Sequence, residues 1–203
     1  MSVRARLSPD ETRCRIMAVA EALFRRIGYG KTAVADIAAE TGMSPANVYR
    51  FFPSKSAINN AICERLCGES EAKLESLLAS PLSAAERLRA AIVGVYEGNK
   101  TLLSEEKRIH EMVAVAMEEN WGAIEVHCSR IKDMIARLVA EGVATGEFDP
   151  AVDPQAAAKT IFTACVGFIH PTLIAQCERK PEHDRPDPHA MVDFILRALR
   201  PAR

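Results

Sequence analysis

Several features are missing from this 203-residue sequence, and each absence excludes a class of protein. No uninterrupted apolar run approaches the ~18 residues that a membrane-spanning helix requires. The first residues, Met-Ser-Val-Arg-Ala-Arg, become charged at once and contain no apolar stretch of the kind that a secretory signal needs. We therefore expect a cytoplasmic protein that has no membrane partner.

The six cysteines lack the spacing of a zinc site. They stand at positions 14, 63, 67, 128, 165 and 177, and no Cys-x-x-Cys pair occurs. The spacings of His110 and His127 also fit no standard metal site, so we expect no metal and no cofactor. In a reducing compartment most of the thiols are expected to be small buried hydrophobes. A thiol-based sensor remains an alternative.

Motifs for catalysis are missing as well. The chain has no glycine-rich phosphate loop, no His-Glu-x-x-His and no nucleophile elbow, so no catalytic residue is predicted and an enzyme is not expected. Strand-type alternation of β-branched residues is nowhere sustained. Hydrophobic residues make up 48% of the chain, which excludes intrinsic disorder.

Helical periodicity is present instead, because apolar residues recur at intervals of three and four along almost the whole chain. Ser8-Pro9 is a start signal for the first helix, and Gly28 is its stop signal. The pattern predicts an all-α fold of about nine helices. The eighth opens at Asp153-Pro154 and continues to about Ala175, with Pro171 predicted to kink it.

Charge is distributed unevenly, although the formal net charge is only −1. Residues 1–60 contain nine Lys+Arg against five Asp+Glu, whereas residues 61–203 contain 17 against 22. A basic segment on an acidic body indicates two modules with different partners. We predict an N-terminal domain over 1–60 and a C-terminal domain over 61–203.

The stretch from Thr32 to Phe52 has the pattern of a helix-turn-helix, in which two short helices flank a tight turn. Gly42 suits the turn because it tolerates positive φ, and Ser44-Pro45 suits the start of the next helix. Val48 is expected to face the core. Asn47 and Arg50 share the outer face, where Asn can bond adenine edges and Arg can bond guanine.

The stretch from Arg13 to Lys55 resembles the DNA-binding domain of the tetracycline-repressor-like (TetR/AcrR) family of transcriptional regulators. The matching residues are Ile16, Ala20, Leu23-Phe24, Gly28-Tyr29, Thr32, Ile37-Ala38, Gly42, Ser44, Tyr49, Phe52 and Lys55. The resemblance implies that the third helix enters the major groove and that Tyr49 contacts phosphate, as do the starts of the second and fourth helices.

The sequence departs from the family pattern at two positions of the third helix. Many members have Gly where this chain has Ala46, and Pro45 occupies an exposed position. Both residues reduce the number of polar atoms that are available to read bases. The predicted DNA-binding set is Thr32, Ser44, Pro45, Ala46, Asn47, Tyr49, Arg50 and Lys55, and Arg4 and Arg6 are either a DNA-contacting arm or a solvating tail.

The resemblance also implies a C-terminal domain that dimerises through its last two helices. The sequence supports this, because the eighth helix is apolar on nearly every side and must be covered. A matching pair from a second copy would form a four-helix interface with two-fold symmetry. The predicted interface residues are Ile161, Phe168, Met191, Phe194, Ile195, Ala198 and Leu199.

A small effector is the other partner that the resemblance implies. Soft and aromatic side chains with a few polar groups suit an apolar or amphipathic ligand. The pocket candidates are Tyr96, His110, Met112, Met117, Trp121, His127, Phe162, Cys165 and His170.

The resulting hypothesis is a homodimeric regulator, a repressor, that a small effector releases from a near-palindromic operator in double-stranded DNA. Three alternatives remain at this point. They are a thiol- or metal-responsive sensor on the same DNA-binding frame, a small helical enzyme, and an interaction module whose DNA-reading helix has decayed.

Overall fold

The computed structural model describes residues 7–105, 107–118, 122–181 and 187–201. These residues form an all-α fold, as predicted, and no strand occurs among them. Eleven helices follow one another in the order α1 (Pro9–Ile27), α2 (Val34–Thr41), α3 (Pro45–Tyr49), α4 (Lys55–Leu78), α5 (Ala84–Glu105), α6 (Lys107–Glu118), α7 (Gly122–Ala144), α8 (Pro154–Ala164), α9 (Val166–Ile169), α10 (Pro171–Cys177) and α11 (Pro188–Leu199).

The described residues contain eleven helices where about nine were predicted, because the predicted eighth helix is three separate helices. The chain breaks first at Cys165 and again at His170. His170 is extended, with φ −79° and ψ 118°, and Pro171 begins α10. Proline lacks an N–H and disfavours the helical region for the residue before it, so the chain ends one helix and starts another instead of kinking.

Most of the predicted helix ends are confirmed by the structure. The Ser8 hydroxyl accepts from the Glu11 N–H at the start of α1, and Gly28 ends that helix with φ 95°. Gly42 ends α2 in the left-handed region with φ 70°, as the turn requires. The N-cap residue of α2 is Ala33, whose side chain cannot accept a hydrogen bond, and the Asp36 carboxylate accepts from the Ala33 N–H over 2.7 Å.

The first hydrophobic core lies among α1 to α4 and receives side chains from the body. Val48 and Phe52 are buried in it, as are Met112 and Ala116 of α6. Helix α4 begins at Lys55 and crosses the predicted domain boundary at residue 60 without interruption. The head, residues 7–54 with the first half of α4, is therefore continuous with the body both through a helix and through a shared core.

The second hydrophobic core holds the body together. Its buried members come from α5, α7, α8, α9, α11 and the turn after α7, and they include Leu88, Val139, Phe148, Ile161 and Val192. Beside this core, Arg87 donates to the Leu78 carbonyl over 2.6 Å and to Glu141 over 3.0 Å. These bonds join the start of α5 to the ends of α4 and α7.

One polar side chain breaks the apolar character of the shared core. Asn59 of α4 is fully buried, and among the described residues neither its amide nitrogen nor its oxygen has a hydrogen-bond partner. A buried amide that makes no hydrogen bond forfeits its hydration without compensation, at a cost of about 1–3 kcal/mol. Asn59 therefore lowers the stability of the head.

We expect Asn59→Leu to raise the free energy of unfolding by about 1 kcal/mol, because leucine has nearly the same volume and no polar atoms. The measurement is the urea midpoint of the full chain. Asn60→Leu is the matched control, since the Asn60 amide donates to Glu64 over 3.0 Å at the surface. A lower midpoint for Asn59→Leu would contradict the prediction.

Candidate nucleic-acid interface and the sites of the body

Helix α3 is a five-residue helix whose start is closed by a side chain. The Ser44 hydroxyl accepts from the Asn47 N–H over 3.2 Å, and Pro45 occupies the first helical position. Val48 is fully buried, which confirms its predicted direction. The opposite face of α3 is consequently turned away from the core.

The residues predicted to read DNA occupy that outer face. Tyr49 is 50% exposed, Pro45, Ala46 and Arg50 are exposed, and Asn47 is half-buried. An exposed tyrosine on a basic head is suited to contact with phosphate, and an exposed arginine to contact with phosphate or a base edge. The structure therefore brings Pro45, Ala46, Asn47, Tyr49 and Arg50 onto one short surface.

Two other members of the predicted DNA-binding set, Thr32 and Lys55, do not lie on the outer face of α3. Thr32 is 2% exposed, and its hydroxyl donates to the Gly28 carbonyl over 2.8 Å. Lys55 is half-buried, and its ammonium donates to the carbonyls of Tyr29 and Thr32 over 2.8 and 2.9 Å. Burial lowers the pKa of Lys55. Both side chains thus make their contacts inside the head.

Arg13 is a residue of this region to which the sequence assigned no role. Its Nη1 donates to the Phe51 carbonyl over 2.7 Å, and its guanidinium lies 4.1 Å from the centre of the Phe52 ring. The contact joins α1 to the chain just beyond α3, 38 residues later. Only the folded head brings these residues together. Arg4 and Arg6 lie outside the described residues.

A groove of about 620 Å³ runs between α8 and α11. All seven residues predicted for a dimer interface line it: Ile161, Phe168, Met191, Phe194, Ile195, Ala198 and Leu199. Phe194 is 67% exposed, the largest exposure of any big apolar side chain among the described residues. The groove is an apolar surface that a second protein surface can cover.

The predicted pocket residues fall into several groups. Tyr96 and Cys165 lie in the second core, where the Tyr96 ring meets that of Phe168, a predicted interface residue, edge to face with centroids 5.8 Å apart. His110 of α6 is buried, and His170 lies between α9 and α10, helices that pack against α5.

The remaining pocket candidates lie elsewhere. Met112 belongs to the core of the head, and Phe162 lies beneath Lys132, whose Nζ is 5.6 Å from the ring centre. His127 is bound to Glu71 on the α4–α7 side. Met117 is half-buried near the end of α6, and Trp121 lies outside the described residues. The nine candidates therefore do not line one site.

The partners of Glu71 tie α4 to α7. Its carboxylate accepts from His127 Nδ1 over 2.9 Å and from Arg130 Nη1 over 3.0 Å. Burial acts to raise the pKa of Glu71, but the hydrogen bonds and charges of His127 and Arg130 outweigh it and hold that pKa below its ordinary value. The folded state therefore favours the ionised carboxylate.

Burial favours the protonated form of four thiols, of which Cys63 and Cys165 are buried and Cys67 and Cys128 half-buried. Burial raises the pKa of Cys63 to about 12 and the pKa values of Cys67 and Cys165 to about 11, and it also raises the pKa of Cys128. The reactive form of cysteine is the thiolate. Cys63 and Cys165 accordingly fit the expectation of small buried hydrophobes, whereas Cys67, Cys128 and Cys177 are half-buried and Cys14 is exposed.

Among the residues that the structure describes, no group of three or more His, Cys, Asp or Glu side chains is arranged to hold a metal ion. None of the helices in the described ranges is long and apolar enough to cross a membrane.

Comparison with known families identifies the architecture. Residues 16–62 match the model of bacterial regulatory proteins of the tetR family, and residues 84–188 match the tetracyclin repressor-like C-terminal domain. The chain belongs to the TetR family. It is a TetR-family transcriptional regulator with a DNA-binding helix-turn-helix in its head.

Individual relatives agree with this membership. The chain is 26% identical over 170 residues to the uncharacterized HTH-type transcriptional regulator YfiR of Bacillus subtilis (strain 168), and the match covers 81% of each. A TetR/AcrR-family regulator from Thermobifida fusca is 28% identical, with a TM-score of 0.56, and covers 92% of this chain and 94% of its own. A TetR-family regulator from Pectobacterium atrosepticum is 22% identical, with a TM-score of 0.70, and covers 96% and 93%.

The contacts that Glu71 of α4 makes with α7 predict that the stability of the protein depends on pH. Because the pKa of Glu71 is lowered on folding, its contribution to stability is present above the unfolded value of about 4.3 and is lost as the pH falls through the folded value. Glu71→Gln is expected to lower the urea midpoint at pH 7. The difference in urea midpoint between the variant and the wild type should be smaller at pH 3.5, where the Glu71 carboxylate becomes protonated. Glu69→Gln on the exposed side of α4 is the control, and a gap for Glu71→Gln that is equal at both pH values would contradict the assignment.

Proposed function

We propose that this TetR-family regulator is a homodimeric repressor that binds a near-palindromic operator and leaves it when a small effector binds the body. The observation that carries the proposal is the exposed face of α3, a capped helix that presents Tyr49 and Arg50 from a basic head. Residues 1–60 carry an excess of four positive charges, which attracts the negatively charged DNA to the head. The body, residues 61–203, carries an excess of negative charge and therefore does not attract DNA.

The roles in the head follow from where its side chains lie. Arg50 and Asn47 are proposed to reach base edges in the major groove, Pro45 and Ala46 to face the groove beside them, and Tyr49 to contact phosphate. Ser44 acts as the cap that fixes the start of α3. The side chains of Thr32 and Lys55 are left out of the phosphate contacts because both are engaged within the head.

The groove between α8 and α11 is proposed to be the dimer interface. Pairing two copies there covers Phe194 and the other apolar residues of the groove with the same surface of the partner, which is the arrangement of a two-fold dimer. Two heads would then address successive major grooves roughly 34–36 Å apart.

The effector is proposed to be apolar or amphipathic and to bind where α5, α6, α9 and α10 pack together, near Tyr96, His110 and His170. Helix α6 connects this region with the head, because Met112 and Ala116 lie in the head core and Arg108 donates to the Arg25 carbonyl over 3.2 Å. A ligand that displaces α6 would also displace α1. Such a ligand favours a dimer whose heads no longer match the operator, and linkage makes ligand and DNA weaken each other equally.

The alternatives receive less support. The raised pKa values of Cys63, Cys67 and Cys165 disfavour a thiol sensor that acts through these residues. The enzyme alternative has no nucleophile–base motif in the sequence. A decayed DNA-reading helix is disfavoured by the intact cap of α3 and by the exposure of Tyr49 and Arg50.

DNA binding is tested by fluorescence anisotropy with duplex from the region upstream of the protein's own gene and with random duplex. Arg50→Ala is expected to weaken specific binding by about 1–3 kcal/mol and to relax base preference, if Arg50 bonds a base edge. Tyr49→Ala should weaken binding to all sequences alike. Lys73→Ala, on the exposed surface of α4, is the control. Equal wild-type affinity for operator and random duplex would refute a sequence-specific regulator.

The interface is tested by light scattering on Phe194→Glu. A charge in the apolar groove cannot be buried against its copy without a large desolvation penalty, so the variant is expected to be monomeric where the wild type is dimeric. Val126→Glu is the matched control, because Val126 is 50% exposed on α7 and lies outside the groove. A dimeric Phe194→Glu would place the interface elsewhere.

A further inference from the structure

Helix α3 cannot hold its shape unaided. It has five residues, and isolated helices shorter than about 12–15 residues are marginal in water. Its first turn is fixed by Ser44 and its middle by the buried Val48. The direction of its outer face therefore depends on what holds its far end and what holds α2 beside it.

The chain just beyond the far end of α3 is held by Arg13 of α1. A hydrogen bond from a charged guanidinium to a backbone carbonyl is stronger than one between neutral groups. The Arg13 guanidinium supplies a donor to the Phe51 carbonyl at 2.7 Å and stacks 4.1 Å above the ring of Phe52, which is itself 2% exposed. A planar guanidinium makes both contacts at once.

The segment ahead of α2 is held by Lys55, the first residue of α4. An ammonium has three donors, and this one uses two of them on the Tyr29 and Thr32 carbonyls. Its Nζ also lies 4.3 Å from the centre of the Tyr29 ring, which meets Phe24 edge to face at 5.2 Å. Lys55 thereby fixes the α1–α2 connection to the start of α4.

We propose that Arg13 and Lys55 are positioning residues for DNA recognition. They set α2 and α3 against α1 and α4 by bonding backbone carbonyls, and neither neutralises a phosphate. The inference rests on the proposed DNA binding of the head and assigns these two cations a different role from Arg50 and Tyr49. The Lys55 ammonium uses two of its three donors on carbonyls, and the Arg13 guanidinium bonds the Phe51 carbonyl and stacks on Phe52, so the charge of both cations is engaged within the head.

Salt dependence separates the two roles. Each phosphate that a protein neutralises adds about 0.9 to the slope of log affinity against log salt concentration. Arg13→Gln and Lys55→Gln are expected to weaken operator binding about tenfold, the usual effect of losing one charge-assisted hydrogen bond, with the slope unchanged. Arg15→Gln and Lys31→Gln remove the same charge from exposed positions on α1 and in the α1–α2 connection and are the matched controls.

Hydrogen exchange of the free protein tests the positioning directly. Arg13→Gln should speed exchange in peptides that cover residues 45–52, and Lys55→Gln should speed it in peptides that cover 28–34. The rest of α4 should keep its protection, and circular dichroism should show both variants folded at the temperature used. A variant that only lowers global stability would not confine the change to one segment.

Two results would overturn the proposal for either residue. One is a salt slope that falls by about one in the glutamine variant, which marks a phosphate contact. The other is unchanged exchange in the named segment. If the wild-type chain does not prefer operator over random duplex, the proposed function fails, and the exchange experiment still decides whether Arg13 and Lys55 hold the head.

Discussion

The burial of Val48 and Phe52 is the interaction on which the rest of the head depends. Helix α3 is too short to be stable in isolation, so its position follows from these two side chains, which are 0% and 2% exposed in the core formed by α1, α2 and α4. The residues on its outer face, which we propose to contact DNA, keep their position because the inner face is held in this core. One face of this five-residue helix packs in the core, and the opposite face is the one that we propose to contact DNA.

The same core joins the head to the body. Met112 and Ala116 of α6 complete the apolar cluster of the head, and α4 passes through both modules without a break. The carboxylate of Glu71 then ties α4 to α7 further along. Close-packed cores move between discrete arrangements and deform little. A displacement of α6 is therefore expected to displace α1, which packs against it.

Much of the fold is readable from local chemistry. Ser8, Gly28, Gly42 and Ser44 mark helix ends in the sequence, and the structure confirms each of them. The seven apolar residues predicted for an interface also meet in one groove, because helical periodicity already places them on common faces. Caps and amphipathic stripes depend on neighbours within a few residues, which is why one sequence suffices to find them.

Contacts between distant segments were decided by the tertiary structure alone. Lys55 and Thr32 resemble phosphate contacts by position in the sequence, but 23 residues separate the Lys55 ammonium from the Thr32 carbonyl to which it donates. Arg13 reaches Phe51 across 38 residues. The sequence determined which helices form and which faces are apolar, since both depend on short-range patterns. Which polar groups are used up inside the head, and which remain free to meet DNA, depended on chain segments that only folding brings together.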